Sequence, residues 1–527
     1  MAFLNADGSK MQRMAHVSTP SYQASDHFSQ ELASWRPWLA SPDAELLYER
    51  DTITARIRDL VRNNGWASSA VTRELDNVIG SGLRLSAKPN WRRLGLSEDW
   101  AHEFSADVES VWRDFAEDPN FFCDAARHHQ MSGLFGLAYR HYLKDGDAFG
   151  VLLWLPDRPS EWATALQIVH PDRVSNPNGQ ADSDQVRCGV DLDENGAATG
   201  YHIRKRHPYD IADTNGQGFV WEHVPRETEW GRPIVVHHYD KDAAGQTRGI
   251  GRLTPILEPL KMLEKHGKVE LQAAVLNAIL AAFIESPLDH EFAEGIIGGD
   301  SLGKYQDERS AFHKDRNITL GGVRVPILFP GEKVGFQAAT RPNPAFSEFQ
   351  AAALRNIAAG TGTVSYEQLS GDWSRTNYSS ARASMVEIWK SLIRRRRDFA
   401  PRFATPVFAA VLEEAIETGR VTVPSGAPSF QEARAAYARC SWIGPGRGWV
   451  DPLKEKQAAV MGIAAGLSTL EAECAEQGLD YEEVQAQIAR EIKNMPDGVL
   501  HPSQIDFAKI VGAGAQSAAP EEQPRQK

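Results

Sequence analysis

A chain of 527 residues is long enough for several domains and a sizeable core, and 42% hydrophobic with 24% charged residues is ordinary globular composition. The formal net charge of −13 argues against a simple basic nucleic-acid coat protein. Four cysteines, Cys123, Cys188, Cys440 and Cys474, lie far apart without CxxC spacing, which argues against a zinc ribbon or a disulfide scaffold and fits a reducing cytoplasm.

Residues 1–45 are polar and mixed and read as an arm, although Trp35 and Trp38 could dock. No apolar core marks a secretory signal there. From Leu46 to Asn77 the pattern is helical, with Ile53, Ile57, Leu60 and Val61 at helical spacing. Val78 to Asn90 alternates across Leu83 and Leu85 and predicts a strand. Trp100, Phe104, Val108 and Trp112 recur every four residues and predict a helix over Ser97–Phe115 with Trp112 in the core. Between about 145 and 240 the runs FGVLLWL, LQIV, VRCGVDL, GYHIRKR and PIVVHHY predict short strands. Glu194-Asn195-Gly196 gives a hairpin signal between two of them.

Thr254-Pro255 and Pro259 mark a helix start, and the pattern runs to Ser286, where Pro287 stops it. Such a helix is about 40 Å long. Leu260, Leu263, Val269, Val275, Ile279 and Phe283 make it apolar on more than one side, so it needs several neighbours. The run Ala273–Ile284 is too short to span a bilayer, and a soluble protein is expected. Residues 287–342 form a mixed segment with the strand-like VRVPILF. Asn343-Pro344 caps a shorter helix carrying Phe346, Phe349, Ala353, Leu354 and Ile357, which ends at Gly360-Thr361-Gly362.

A polar, aromatic stretch follows, GDWSRTNYSSARA, and then a helix with Met385, Ile388, Trp389, Leu392 and Ile393 on one face and the run Arg394–Arg397 near its end. Pro401 and Pro406 interrupt the pattern. Further helices are predicted over Phe408–Thr418 and Ser468–Asn494, and the tail from about Gly512 has a disordered composition.

Catalytic motifs are incomplete. GGDSLGKY at 298–305 has phosphate-loop spacing, but Tyr305 stands where magnesium coordination needs Ser or Thr. DLDENG at 191–196 imitates half a calcium loop, yet the twelfth position is His202, and a hairpin turn fits better. Gly249-Ile250-Gly251 lacks the rest of a dinucleotide fingerprint. His128-His129, His141, His207 and His237-His238 read as surface or packing residues, with His237 and His238 on opposite faces of a strand. No catalytic residue, cofactor or metal is expected.

Four blocks carry a family resemblance. They are RDLVRNNGWASSAVTRELDNVIGSGLRLSAKPN (58–90), GQTRGIGRLTPILEPLKMLEKHGKVELQAA (245–274), SYEQLSGDWSRTNYSSARASMVEIWKSLIRRRRDFAPRF (365–403) and WIGPGRGWVDPLKEKQA (442–458). In this order they resemble the lambda-type family of tailed-bacteriophage portal proteins. The resemblance implies an α+β portal fold, with a mixed wing domain, a helical stem, a small α/β clip, a tunnel loop and a helical crown. Mapped onto this chain it gives an arm at 1–45, wing at 46–251, stem helix at 252–286, clip at 287–342, second stem helix at 343–362, tunnel loop at 363–380, long helix and second wing part at 381–458, crown at 459–511 and tail at 512–527. It further implies a structural, non-enzymatic ring, usually a dodecamer, at a capsid vertex of the virion, assembled in the bacterial host cytoplasm. Double-stranded DNA would pass through it, and terminase, head-completion or adaptor proteins and capsid proteins would dock on it.

On that plan Trp373, Arg375, Asn377 and Tyr378 are the candidate DNA-tunnel contacts, although Trp373 and Tyr378 could instead brace the loop against neighbouring subunits. Four consecutive arginines fan around the whole helix circumference, which favours bracing over a DNA clamp. A terminase-like ATPase or nuclease and a monomeric minor head protein are the alternatives. The acidic chain suggests a tunnel wall that repels phosphates rather than grips them.

Overall fold

The computed structural model describes residues 23–25, 30–284, 311, 317–320, 323–326, 346–374, 377–448, 451–496, 499, 501 and 503, with backbone alone for 276–284, 317–320, 323–326 and 378–379. Asn64 shapes its first half. Its backbone is extended and its side-chain oxygen accepts from Trp66 N at 3.0 Å and Ala67 N at 3.1 Å. One predicted helix over 46–77 is therefore two, α2 (Arg50–Asn63) and α3 (Gly65–Val78), preceded by a short α1 (Pro42–Leu46). Asp43 in α1 is buried and bonded to Thr247 and Arg187, so the last residues before 46 are fastened to the fold.

The predicted strand at 78–90 is β1 (Arg84–Ala87), after which come α4 (Trp91–Leu94) and α5 (Glu98–Ala116), the latter capped by Ser97. Next comes α6 (Met131–Asp145), a helix not anticipated from the residue pattern. Beyond it lie β2 (Asp147–Trp154), β3 (Thr164–Val169), β4 (Val186–Arg187), β5 (Val190–Leu192), β6 (Ala198–Arg204), β7 (Trp221–Pro225) and β8 (Val235–Tyr239). These make two antiparallel sheets, ordered β3-β2-β8 and β4-β5-β6-β7. The predicted hairpin joins β5 to β6, with Gly196 at positive φ and Asp193 accepting from Asn195 N and Ala197 N.

Helix α7 (Leu257–Ile284) matches the predicted long helix within two residues at each end. In the segment 287–342, a hairpin of β9 (Asn317–Leu320) and β10 (Val323–Pro326) is described, and the phosphate-loop-like 298–305 lies outside the described residues. Helices α8 (Phe346–Thr361), α9 (Tyr366–Ser370) and α10 (Tyr378–Phe399) follow. The prolines at 401 and 406 do not stop the chain from coiling, contrary to expectation. Ala400–Ala404 forms a π-type turn that accommodates Pro401, and Pro406 sits in the first turn of α11 (Thr405–Glu417), where its missing N–H costs nothing.

α12 (Phe430–Tyr437) leads to β11 (Cys440–Ile443), which pairs with β1 across more than 350 residues of sequence. The C-terminal helices are α13 (Pro452–Ala464), α14 (Leu470–Glu476) and α15 (Tyr481–Asn494). The single helix predicted over 468–494 is thus divided. Gly478 has positive φ, and Asp480 restarts the helix by capping Glu482 N and Glu483 N.

The main core joins α2, α3, α5, α6, α10 and α11 around β2. Trp112 is 6% exposed and packs edge-on against Phe408 and Trp442 at 5.7 Å each, as its periodicity predicts. A smaller core lies between the two sheets around Phe149, Val190, Tyr201 and Val235. The Gly249-Ile250-Gly251 stretch has a steric role. Gly249 crosses the backbone of Gly146 and Gly251 that of Lys144, so closely that a side chain at either would collide. Among the described residues no helix is long and apolar enough to cross a membrane.

Candidate functional site

The polar stretch noted in the sequence begins on a firm root. Ser365 and Gln368 form a reciprocal capping box at α9, and Gly371 ends that helix at positive φ. Asp372 then accepts from Ser374 N at 3.0 Å and Ser374 Oγ at 2.6 Å. Asn377 is exposed, and its side-chain oxygen caps α10 through Ser380 N at 2.9 Å. Trp373 is 49% exposed. Trp373 and Asn377 therefore share one exposed loop, and Tyr378 opens the helix behind it. Arg375 and the side chain of Tyr378 lie outside the described residues. Asn is among the residue types favoured at a helix N-cap, the local signal that accounts for Asn377.

The arginine run divides as the helical fan requires. Arg394 and Arg397 are exposed. Arg395 is buried and donates to Tyr142 Oη at 3.1 Å and Asp240 Oδ2 at 2.5 Å. Burial works against its charge, but Tyr142, Glu74 and Asp240 hold its pKa above the ordinary arginine range. Arg396 donates to the carbonyls of Asn77 at 2.8 Å, Val78 at 3.1 Å and Pro445 at 3.0 Å. Burial without a carboxylate partner pulls its pKa down to about 10. Half of the run therefore braces the subunit's own interior.

Behind the loop root sits Glu74 of α3, 5% exposed. Its Oε2 accepts from Thr363 Oγ1 at 2.6 Å and its Oε1 from Tyr139 Oη at 3.0 Å. Neither Glu74 nor Thr363 stood out in the sequence, since a carboxylate and a hydroxyl 289 residues apart leave no local pattern.

A row of imidazoles, His141, His170 and His207, alternates with Asp145 and Asp172, a donor set of the type that binds transition metals. Several of its atoms are engaged in hydrogen bonds within the protein, among them His141 Nδ1 with Asp145 at 2.6 Å. His170 Nδ1 accepts from Asp172 N at 3.3 Å and His207 Nδ1 from Tyr209 N at 3.2 Å, which places the proton of each neutral ring on Nε2. His207 Nε2 then meets Asp172 Oδ2 at 3.1 Å, while Arg58 bonds Asp145 at 2.7 Å and both oxygens of Asp172 at 2.7 and 2.8 Å. The cluster is an ion-pair hub with Arg58 as its cation. His237 and His238 occupy opposite faces of β8, as expected. His237 stacks on Phe149 and bonds Asp147, and His238 packs against Tyr142 and Phe399.

Helices α7 and α8 pack against each other. Their inner side holds Leu260, Leu263, Leu354 and Ile357, and the ring of His266 stacks on Phe346. Met262 and Val269 on one face of α7, Leu271 and Val275 on the opposite face, and Phe349 of α8 are exposed.

The profile of the family described as "Phage portal protein, lambda family" matches residues 28–396. The portal protein of Escherichia phage N15 is 40% identical over 507 residues, covering 94% of each chain. Portal protein B of Escherichia phage lambda is 40% identical over 486 residues, covering 90% of each. Among solved structures, a chain from the virion of a native gene transfer agent particle aligns with a TM-score of 0.36 at 15% identity, covering 84% of this chain and 96% of its own. A chain from the neck of a native gene transfer agent particle gives a TM-score of 0.35 at 15% identity, covering 82% and 99%. With the profile spanning more than half the sequence and two relatives at 40% identity along nearly their whole lengths, this chain belongs to the lambda family of phage portal proteins.

Proposed function

We propose that copies of this chain close into a ring, expected to be a dodecamer, at one capsid vertex, and that double-stranded DNA enters and leaves the capsid through its centre. Proteins of the family are structural rather than enzymatic. The observation that carries the ring is apolar exposure on opposite faces of α7, Met262 and Val269 on one and Leu271 and Val275 on the other, with Phe349 of α8 also in water in the single chain. A head-to-tail contact that closes by rotation buries such a surface in every copy.

On this reading α7 and α8 are the stem, residues 46–251 the first part of the wing, 287–342 the clip and 459–511 the crown. The terminase large subunit docks on the clip during packaging, and head-completion or adaptor proteins replace it. Trp373, Arg375, Asn377 and Tyr378 belong to a loop that faces the DNA. The net charge of −13 makes the wall repulsive overall, so the strand slides instead of being held.

The test is native mass spectrometry with negative-stain imaging of the purified chain. Closed rings with a central hole are expected. A stable monomer at micromolar concentration contradicts the proposal and favours an accessory head protein.

A further inference from the structure

We infer that Glu74 is a positioning residue, which through Thr363 fixes the root of the polar loop beyond Gly371 to the wing. The inference rests on the proposal that this loop faces DNA. Its basis is the arrangement around one buried carboxylate. Thr363 lies on the segment that enters the loop, and its hydroxyl donates to Glu74 at 2.6 Å. Arg395 lies on α10, the helix that leaves the loop, and its charge acts on Glu74 from the other side. Tyr139, wholly buried on α6, holds the second carboxylate oxygen at 3.0 Å. A further bond, from Ser69 Oγ to Leu369 O at 3.4 Å, ties the same helix α3 to α9.

Thr361, Thr363 and Val364 are all buried, so the chain between α8 and α9 is held inside the protein just before it emerges as the loop. Filling this space alone calls for an apolar side chain. A buried carboxyl, whose ionisation burial opposes, instead demands its partners in one geometry, because losing a hydrogen bond leaves a desolvated polar atom. The α3 helix thereby sets where the loop starts.

Hydrogen–deuterium exchange of the assembled full-length chain tests this. Thr363→Val removes the hydroxyl at nearly constant shape, and Thr363→Ser keeps it. In the valine variant the amides of Val364 to Gly371 should exchange faster by about tenfold, as expected when a buried acceptor loses its hydrogen bond. Protection in β2 and α5 should not change, and serine should restore the wild-type rates. Glu74→Gln, which retains an acceptor, should give a smaller rise at the same amides. Unchanged exchange at 364–371 in the valine variant overturns the inference, and so does a rise spread evenly over β2 and α5. Packaging yield separates this from the reading beneath it. A loosened root with normal DNA packaging upholds the anchor and contradicts the DNA-facing loop.

Discussion

Arg248 Nε lies 2.8 Å from Asp147 Oδ2, and neither side chain reaches solvent. Asp147 also receives Arg50 at 2.8 Å, His237 at 3.1 Å and the backbone N–H of Gly249 at 2.7 Å. The other guanidinium donors of Arg248 reach the carbonyls of Pro171, Val174 and Cys188. One ion pair thus joins α2, β2, β8 and the crossing before α7. Asp147→Asn leaves two buried guanidinium groups short of charge and should destabilise the chain by about 3–5 kcal/mol. A urea titration of the variant checks this, and a midpoint unchanged from wild type contradicts it.

Acid should weaken the fold in two stages. Burial, reinforced by Arg402 and His237, pushes His238 down to about 3, and burial takes His170 down to about 4. Between those values and the ordinary histidine range the unfolded chain binds more protons than the folded one, so stability falls as pH drops from about 6.5 toward 4. Burial opposes ionisation of Asp147 and Asp172, but their arginine partners win and hold both carboxyls well below the usual carboxylate range. Their contribution is present above about pH 3.9 and is lost only as pH falls through the lower folded values. Denaturation midpoints at pH 7.5, 6 and 5 should therefore decrease. His238→Phe keeps the aromatic contacts with Tyr142 and Phe399 and should flatten the slope. An equal slope in that variant assigns the acid sensitivity elsewhere.

The four arginines should behave as two pairs. Arg395→Met takes the nearer of two arginines from Asp240, leaving Arg252 at 3.5 Å, and disturbs Glu74, and Arg396→Met leaves three carbonyls without their donor. Each should cost about 2–4 kcal/mol in thermal or chemical unfolding. Arg394→Ala and Arg397→Ala should stay within about 0.5 kcal/mol of wild type, as exposed substitutions do. Equal losses at all four positions would refute the division.

Asn377→Ala should remove a helix cap, at a cost of about 1 kcal/mol. The effect is local, so exchange at Ser380 and Ala381 should rise while the rest of α10 keeps its protection. If exchange there is unaltered, Asn377 is not holding the first turn.

The helices with long apolar periods were legible in the sequence, because their burial is written at every third or fourth position. Trp112, the helix over Ser97–Phe115 and the Glu194–Gly196 turn follow directly from such local rules. The breaks were less legible. Asn64-Gly65 and Gly478 divide helices whose apolar periods continue across them, and Pro401 was overruled by the packing of Phe399 and Phe403, both fully buried. The supports of the candidate site were not legible at all. Glu74 with Thr363, and Asp147 with Arg248, are chemical pairs made by topology, and only the fold brings them together. The stretch stands out by its composition, its assignment to a DNA tunnel rests on resemblance, and its residues divide into a capping Asn377 and an exposed Trp373 that no periodicity would separate.

The most direct test is an electron cryomicroscopy reconstruction of the assembled protein, with the radial position of Trp373 measured from the symmetry axis. A closed ring is predicted, with Trp373 and Asn377 on its inner wall and Met262 and Leu271 buried against the adjacent copy. A ring that carries the Gly371–Asn377 loop on its outer rim, or the absence of any ring, would contradict the account.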